Sequence, residues 1–336
     1  MSRPPLRNVF MPFPPAGSNP HAPQAEAAMW AWLETCGLLP TEAARLRVER
    51  TRPALMYARW CPTAEPDVLA LLTQYLAWAF IVDDEFDIRS PDPARCIATV
   101  TALDMVFDPH RRAVGNGPLV DAFADLWRRL SLGRSEGWRK AFRSEVRAWL
   151  WTYYREAVGH LTGHLPDIDA YRSHRRDGVA LYMFMDISEI ASGVDLPESV
   201  RQLAAFRNLR DAAEEHMGLY NDICSLDSDE RVGYRYNAAL LLQDNQDFTR
   251  EQAVDAVNDM LTACLQRFHT AMEQLPIQME TAGIQGQTYA DAVRTAEDYA
   301  RYVRANFDYH QQTPRYTSAP EVALEGMLGL HALDEQ

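Results

Sequence analysis

Apolar residues recur every three to four positions along most of the chain, which is the period of amphipathic helices. The pattern predicts helices near 23–36, 41–60, 66–87, 93–107, 117–130, 135–163, 167–190, 199–227, 234–244, 249–275 and 287–309. Breakers fall between them, including Gly37 and Pro40, Pro62 and Pro66, Pro91 and Pro93, Gly163 and Pro166, and Gly193 and Pro197. Thr41 and Thr249 stand where helix N-caps are expected. Gly115-Asn116-Gly117 is a turn signal, but no alternating strand pattern flanks it. No repeat and no shift in composition marks a boundary, so the expected fold is a single all-α domain of ten or more helices.

One segment departs from ordinary amphipathic patterning. Leu69 to Val82 is almost entirely apolar or aromatic, and it ends in Asp83-Asp84-Glu85-Phe86-Asp87. Asp83 and Asp87 are four apart and share a helix face, with Phe80 a turn earlier on the same side. Carboxylates at a helix C-terminus are opposed by the macrodipole and call for a compensating cation. An EF-hand is excluded, because the sixth position counted from Asp83 is Ile88, not glycine. A second constellation lies at 220–230, where Asn221, Ser225 and Asp229 are spaced i, i+4, i+8 along one helix face. An amide oxygen, a hydroxyl and a carboxylate make a hard, oxygen-only donor set suited to Mg²⁺, with Mn²⁺ also possible.

Charge narrows the partners. The chain has 33 basic and 47 acidic residues, a net −14, whereas nucleic-acid binders carry a basic face. A phosphate ligand would need metals and locally placed arginines. Five scattered cysteines without a CxxC pair read as reduced thiols in a cytoplasmic protein, neither a disulfide framework nor a zinc site. The proline-rich start is no signal peptide, and no apolar run is long enough to suggest a membrane span. Glu156, His160 and His164 have zinc-like spacing, but Gly159, Gly163 and Pro166 favour a solvated helix end. No Ser-His-Asp arrangement and no Gly-rich nucleotide loop stands out.

The two constellations together resemble the bacterial class I terpene synthases, in which an aspartate-rich motif faces an Asn-Asp-x-x-Ser-x-x-x-Glu motif across the mouth of an α-helical barrel. Asp83, Asp84 and Asp87 match the first motif, and Asn221, Asp222 and Ser225 match the second. Asp229 stands where the family usually has Glu, and Ser228 where it usually has Lys, with Arg231 a candidate to compensate. The segment Tyr171 to Gly178 resembles the family's diphosphate-sensing arginine segment, with either Arg175 or Arg176 as the sensor. The stretch from Ala305 to Tyr316 resembles its Asn-rich segment ending in Arg-Tyr, which places Asn306, Arg315 and Tyr316 at the ligand. The likeness runs from about 19 to 316, between a proline-rich segment at 1–18 and a tail at 317–336.

That resemblance implies three Mg²⁺ ions and a linear prenyl diphosphate that ionises when metals and arginines neutralise its leaving group. Farnesyl diphosphate and a sesquiterpene product are the expected pair, with geranyl or geranylgeranyl diphosphate as alternatives. The carbocation would need aromatic faces, for which Phe80, Trp60, Phe184 and Tyr309 are candidates. Trp149, Trp151, Tyr153 and Tyr154 read instead as helix packing. Chain-elongating prenyl synthases and squalene or phytoene synthases fit less well, because they carry paired aspartate-rich motifs. A non-catalytic helical scaffold with solvated acidic faces is the reading from another class. A monomer or homodimer is expected.

Overall fold

The computed structural model describes residues 9–86, 92–108 and 117–316. Among them are fourteen α-helices and no strand. The first five are α1 (Ala22–Thr35), α2 (Glu42–Thr51), α3 (Pro53–Trp60), α4 (Pro66–Glu85) and α5 (Pro93–Asp104). Next come α6 (Pro118–Leu130), α7 (Glu136–Thr162), α8 (Ile168–Gly178), α9 (Leu181–Ala191) and α10 (Glu198–Arg201). The last four are α11 (Ala204–Val232), α12 (Ala238–Gln246), α13 (Arg250–Thr281) and α14 (Gly286–Gln312), followed by a 3₁₀ turn at Pro314–Tyr316.

Helices α3, α4, α9, α11 and α14 touch in sequence and close a ring, with α7 against α9 and α13 backing α11. The apolar run at 69–82 explains why α4 can sit inside: it is buried on nearly every side, unlike the one-sided helices around it. Proline at the first helical position opens α3, α4, α5 and α6, where its missing N–H costs nothing. Thr249 and Gln252 form a capping box at the start of α13.

Several boundaries differ from the sequence expectation; the helix predicted over 199–227, for one, is two, α10 and α11. The helix predicted over 41–60 is two, because Arg52 precedes Pro53 and takes a left-handed conformation, φ 46°. The helix predicted over 167–190 also breaks, just after Gly178, where Ala180 and not a glycine takes φ 68°. Conversely, α13 runs through Pro276 to Thr281, because its inward face continues with buried Leu275 and Met279.

Candidate active site

A cavity of about 510 Å³ opens at one end of the ring, within the range of small-molecule sites. Its polar rim includes Asp83 and Asp84 from α4 and Asn221, Ser225 and Asp229 from α11. Its walls include Leu76, Ala79, Phe80, Trp149, Tyr153 and Phe184. Acidic and amide groups at the mouth thus stand over aromatic walls. Asp87 lies outside the described residues.

Around Asp83 the hydrogen bonds come from across the cavity. Tyr153 donates to Asp83 Oδ1 at 3.0 Å, and Arg315 pairs with Oδ2 at 2.8 Å. The Arg315 guanidinium also lies 4.5 Å from the centre of the Phe80 ring, a cation–π contact. Tyr153 stacks on Phe86 with ring centres 4.0 Å apart. Removal from water pushes the Asp84 carboxyl up to about 6, against the pull of Arg315 and Arg47.

On α11, Arg175 donates to Asn221 Oδ1 at 2.8 Å and pairs with Asp222 Oδ1 at 3.0 Å. Burial disfavours its charge, but Asp222 and the neighbouring phenols outweigh that and hold it protonated. Asp222 is fully engaged inward, accepting from the Tyr171 hydroxyl at 2.7 Å and the Ala238 N–H at 3.1 Å. Ser225 donates to Asp229 Oδ2 at 2.6 Å, and Asn237 donates to the same oxygen at 2.9 Å. Removal from water pushes Asp229 up to about 6.

The chain end closes the ring of contacts. Asn221 Nδ2 donates to the Tyr316 hydroxyl at 2.7 Å and to His310 Nε2 at 3.2 Å. The Asn306 carbonyl accepts from His310 Nδ1 at 2.8 Å, which fixes the tautomer and leaves Nε2 as the acceptor. Thr313 and Arg50 tie the 3₁₀ turn to the end of α2, at 3.0 and 3.3 Å. These ties bring Arg315 and Tyr316 over the cavity.

Some expected positions lie elsewhere. Arg176 turns away from the cavity to Glu215, which also holds Arg172 and Arg267. Of the two arginines, only Arg175 lines the cavity. Trp60 is fully buried behind the wall, stacked on Tyr302 at 4.5 Å. Tyr309 points to α2, where its hydroxyl donates to the Thr51 carbonyl, and it does not line the cavity. Asn306 is buried on α14 and meets the site only through its carbonyl. For Arg176, Trp60 and Tyr309 a neighbour distant in sequence decided where the side chain went.

Other groups were missed. Trp149 and Tyr153, read as packing, line the cavity, and their i, i+4 spacing on α7 was the available signal. Glu156 and Tyr234 also line it, joined at 2.8 Å, with His174 on the other Glu156 oxygen at 2.8 Å. Helix α7 does not fray at Gly159. A side chain there would collide with the Tyr236 hydroxyl, so glycine lets Tyr236 cross. Glu156 is buried and taken up by Tyr234 and His174, so this stretch is not the solvated helix end expected, and among the described residues no three His, Cys, Asp or Glu side chains form a metal cluster. None of the described helices is long and apolar enough to cross a membrane.

The donors at the mouth are all oxygens, the chemistry that hard divalent cations select, and so the residues present fit such a metal. Residues 74–267 match the family described as terpene synthase family 2, C-terminal metal binding. A (2Z,6E)-hedycaryol synthase of Kitasatospora setae is 32% identical over 93% of this chain and 92% of its own. A pentalenene synthase of Streptomyces avermitilis is 28% identical over 94% of each chain. A solved hedycaryol synthase in complex with nerolidol superimposes with TM-score 0.77 at 30% identity, covering 92% of this chain and 99% of that one. With metal-ligand chemistry facing an aromatic cavity, and likeness along nearly the whole chain, this protein belongs to the bacterial class I terpene synthases.

Proposed function

We propose that the chain ionises farnesyl diphosphate in the presence of Mg²⁺ and cyclises the resulting carbocation to a sesquiterpene, releasing diphosphate as a carbon–oxygen lyase. The observation that carries this reading is the meeting of Asp83 and the Asn221-Ser225-Asp229 face over one aromatic-walled cavity with Arg175 and Arg315. The relatives named above as hedycaryol and pentalenene synthases support a fifteen-carbon substrate.

Asp83, Asp84 and Asp87 would hold metal on one side, and Asn221, Ser225 and Asp229 on the other, with three ions in all. Bound Mg²⁺ supplies the positive charge that makes diphosphate a competent leaving group. Arg175, Arg315 and Tyr316 grip the diphosphate oxygens. The Arg175–Asn221 and Arg315–Asp83 contacts hold these oxygen donors in place, where they would take up the metal while the arginines would turn to the diphosphate. Phe80, Trp149, Tyr153 and Phe184 exclude water and present π faces to the cation, each such contact contributing about 2 kcal/mol when desolvated. Arg231 lines the mouth near Ser228 and supplies the extra cationic contact there.

Incubation with C10, C15 and C20 prenyl diphosphates and Mg²⁺, followed by volatile analysis, tests the reading. A cyclic C15 product with metal-dependent diphosphate release is expected. Product formation only on addition of isopentenyl diphosphate, by chain elongation, would overturn it.

A further inference from the structure

The break between α8 and α9 forms part of the cavity wall. Gly178, Val179 and Ala180 line it, with Arg175 on one side and Phe184 on the other. The geometry of this break therefore sets the distance and angle between a cationic grip and an aromatic wall. It is not a relaxed turn. Ala180 sits at φ 68°, where a side chain is disfavoured, and α9 has no cap from its own N-cap residue.

Its support comes from α11. Glu214, wholly buried, accepts from the Leu181 N–H at 2.7 Å, and the Tyr182 N–H bonds to it as well. A carboxyl from a neighbouring helix thus caps the first turn of α9, accepting from N–H groups that have no partner within the helix. One residue on, Glu215 holds Arg172 and Arg176 of α8, and one turn before, Asp211 accepts from the Tyr182 hydroxyl at 2.6 Å. One turn after, Gly218 leaves room for the stem of Arg175 and for Val179. A side chain there would stand 3.2 Å from the Arg175 Cγ. The face of α11 from Asp211 to Asp222 therefore tracks the whole α8–α9 segment, with Glu214 at the break itself.

We propose that Glu214 is a positioning residue, which pins the α8–α9 break and thereby sets Arg175 against Phe184 so that the ionised chain folds along one route. This inference rests on the proposed function. It assigns Glu214 no contact with substrate or metal. Loss of the carboxyl frees two N–H groups and lets the break relax, which alters turnover and product choice and leaves substrate affinity nearly intact.

The test compares wild type, Glu214→Leu and Glu214→Gln as full chains, by kinetics with farnesyl diphosphate and Mg²⁺, product ratio, and amide hydrogen exchange. Glu214→Leu is expected to speed exchange at Leu181 and Tyr182 and to lower kcat about ten-fold or more, since misplacement by an ångström costs up to about a hundred-fold. KM should stay within about two-fold, and the product mixture should broaden. Glu214→Gln, which keeps the accepting oxygen, should restore protection and product ratio. If Glu214→Leu does not fold, Glu214→Asp, one methylene shorter, takes its place with the same expectations. Unchanged exchange at Leu181 and Tyr182, or an unchanged product ratio in an active enzyme, overturns the inference. A wild-type chain that exchanges as expected but releases no diphosphate from any prenyl diphosphate sinks the proposed function instead.

Discussion

Tyr153 donates a 3.0 Å hydrogen bond to Asp83 Oδ1, linking α7 to the acidic end of α4 across the mouth of the cavity. The bond holds a carboxylate that is otherwise half exposed and is gripped on its other oxygen by Arg315. Groups that orient a metal-binding carboxylate are worth roughly 10- to 100-fold in metal affinity or activity. Tyr153→Phe keeps the stack on Phe86 and loses this bond together with the hydroxyl's hydrogen bond with Trp149. The Mg²⁺ concentration for half-maximal activity should rise about ten-fold, read by metal titration of diphosphate release.

Arg175 and Arg176 are neighbours in sequence with opposite surroundings. Arg175→Lys loses the fork that reaches both Asn221 and Asp222, and kcat/KM should fall about a hundred-fold. Arg176→Ala leaves Glu215 with Arg172 and Arg267, so activity should stay within a few-fold and stability should drop by about 0.5–1 kcal/mol. Kinetics and urea unfolding on both variants separate the two roles.

Asp229, like Ser228, departs from the family pattern. Its Oδ2 is already held by Ser225 and Asn237, so the shorter side chain is fixed in place facing the cavity. Asp229→Ala should lower activity about a hundred-fold at fixed Mg²⁺, and Asp229→Glu should retain more of it than Ala. Equal, near wild-type turnover in both would remove Asp229 from the metal site.

His216 on α11 should set part of the acid sensitivity. It is buried, neither ring nitrogen has a hydrogen-bond partner among the described residues, and burial lowers its pKa from 6.5 to about 3. The unfolded chain then binds more protons than the folded one below pH 6.5, so stability falls as pH drops from there toward 3. Between pH 7 and 5 this group should remove about 2 kcal/mol. Unfolding of wild type and His216→Leu at both pH values should show that difference vanish in the variant.

Trp60 and Phe184 should fail differently. Trp60→Ala opens a void behind Tyr302 and should cost about 3–5 kcal/mol. Phe184→Leu reshapes the cavity wall with little loss of stability, and gas chromatography of the products should show a changed mixture.

Much of the site was legible because helix periodicity is a local property. The spacing of Asn221, Ser225 and Asp229 puts them on one face of α11 whatever surrounds it, and the structure has all three on the cavity rim. The apolar run before Asp83 likewise marked an apolar wall beside the carboxylates, and α4 is buried along it. Periodicity says nothing about which face meets which neighbour. In sequence Trp60 and Tyr309 therefore read as cavity wall, and Trp149 and Tyr153 as packing, although all four are equally aromatic and equally helical.

By itself, then, the sequence determined an all-helical chain and two oxygen-rich helix faces, since both follow from residue spacing along a helix. Only the tertiary structure decided that Arg175 and not Arg176 faces the cavity, and that Tyr153 and Arg315 meet at Asp83. It also decided where α8 ends, because Ala180 adopts a left-handed turn that no local preference favours and that contacts from α11 sustain. Those choices depend on groups 30 or more residues apart in sequence, such as Glu214 and Leu181, and on packing that no local pattern encodes.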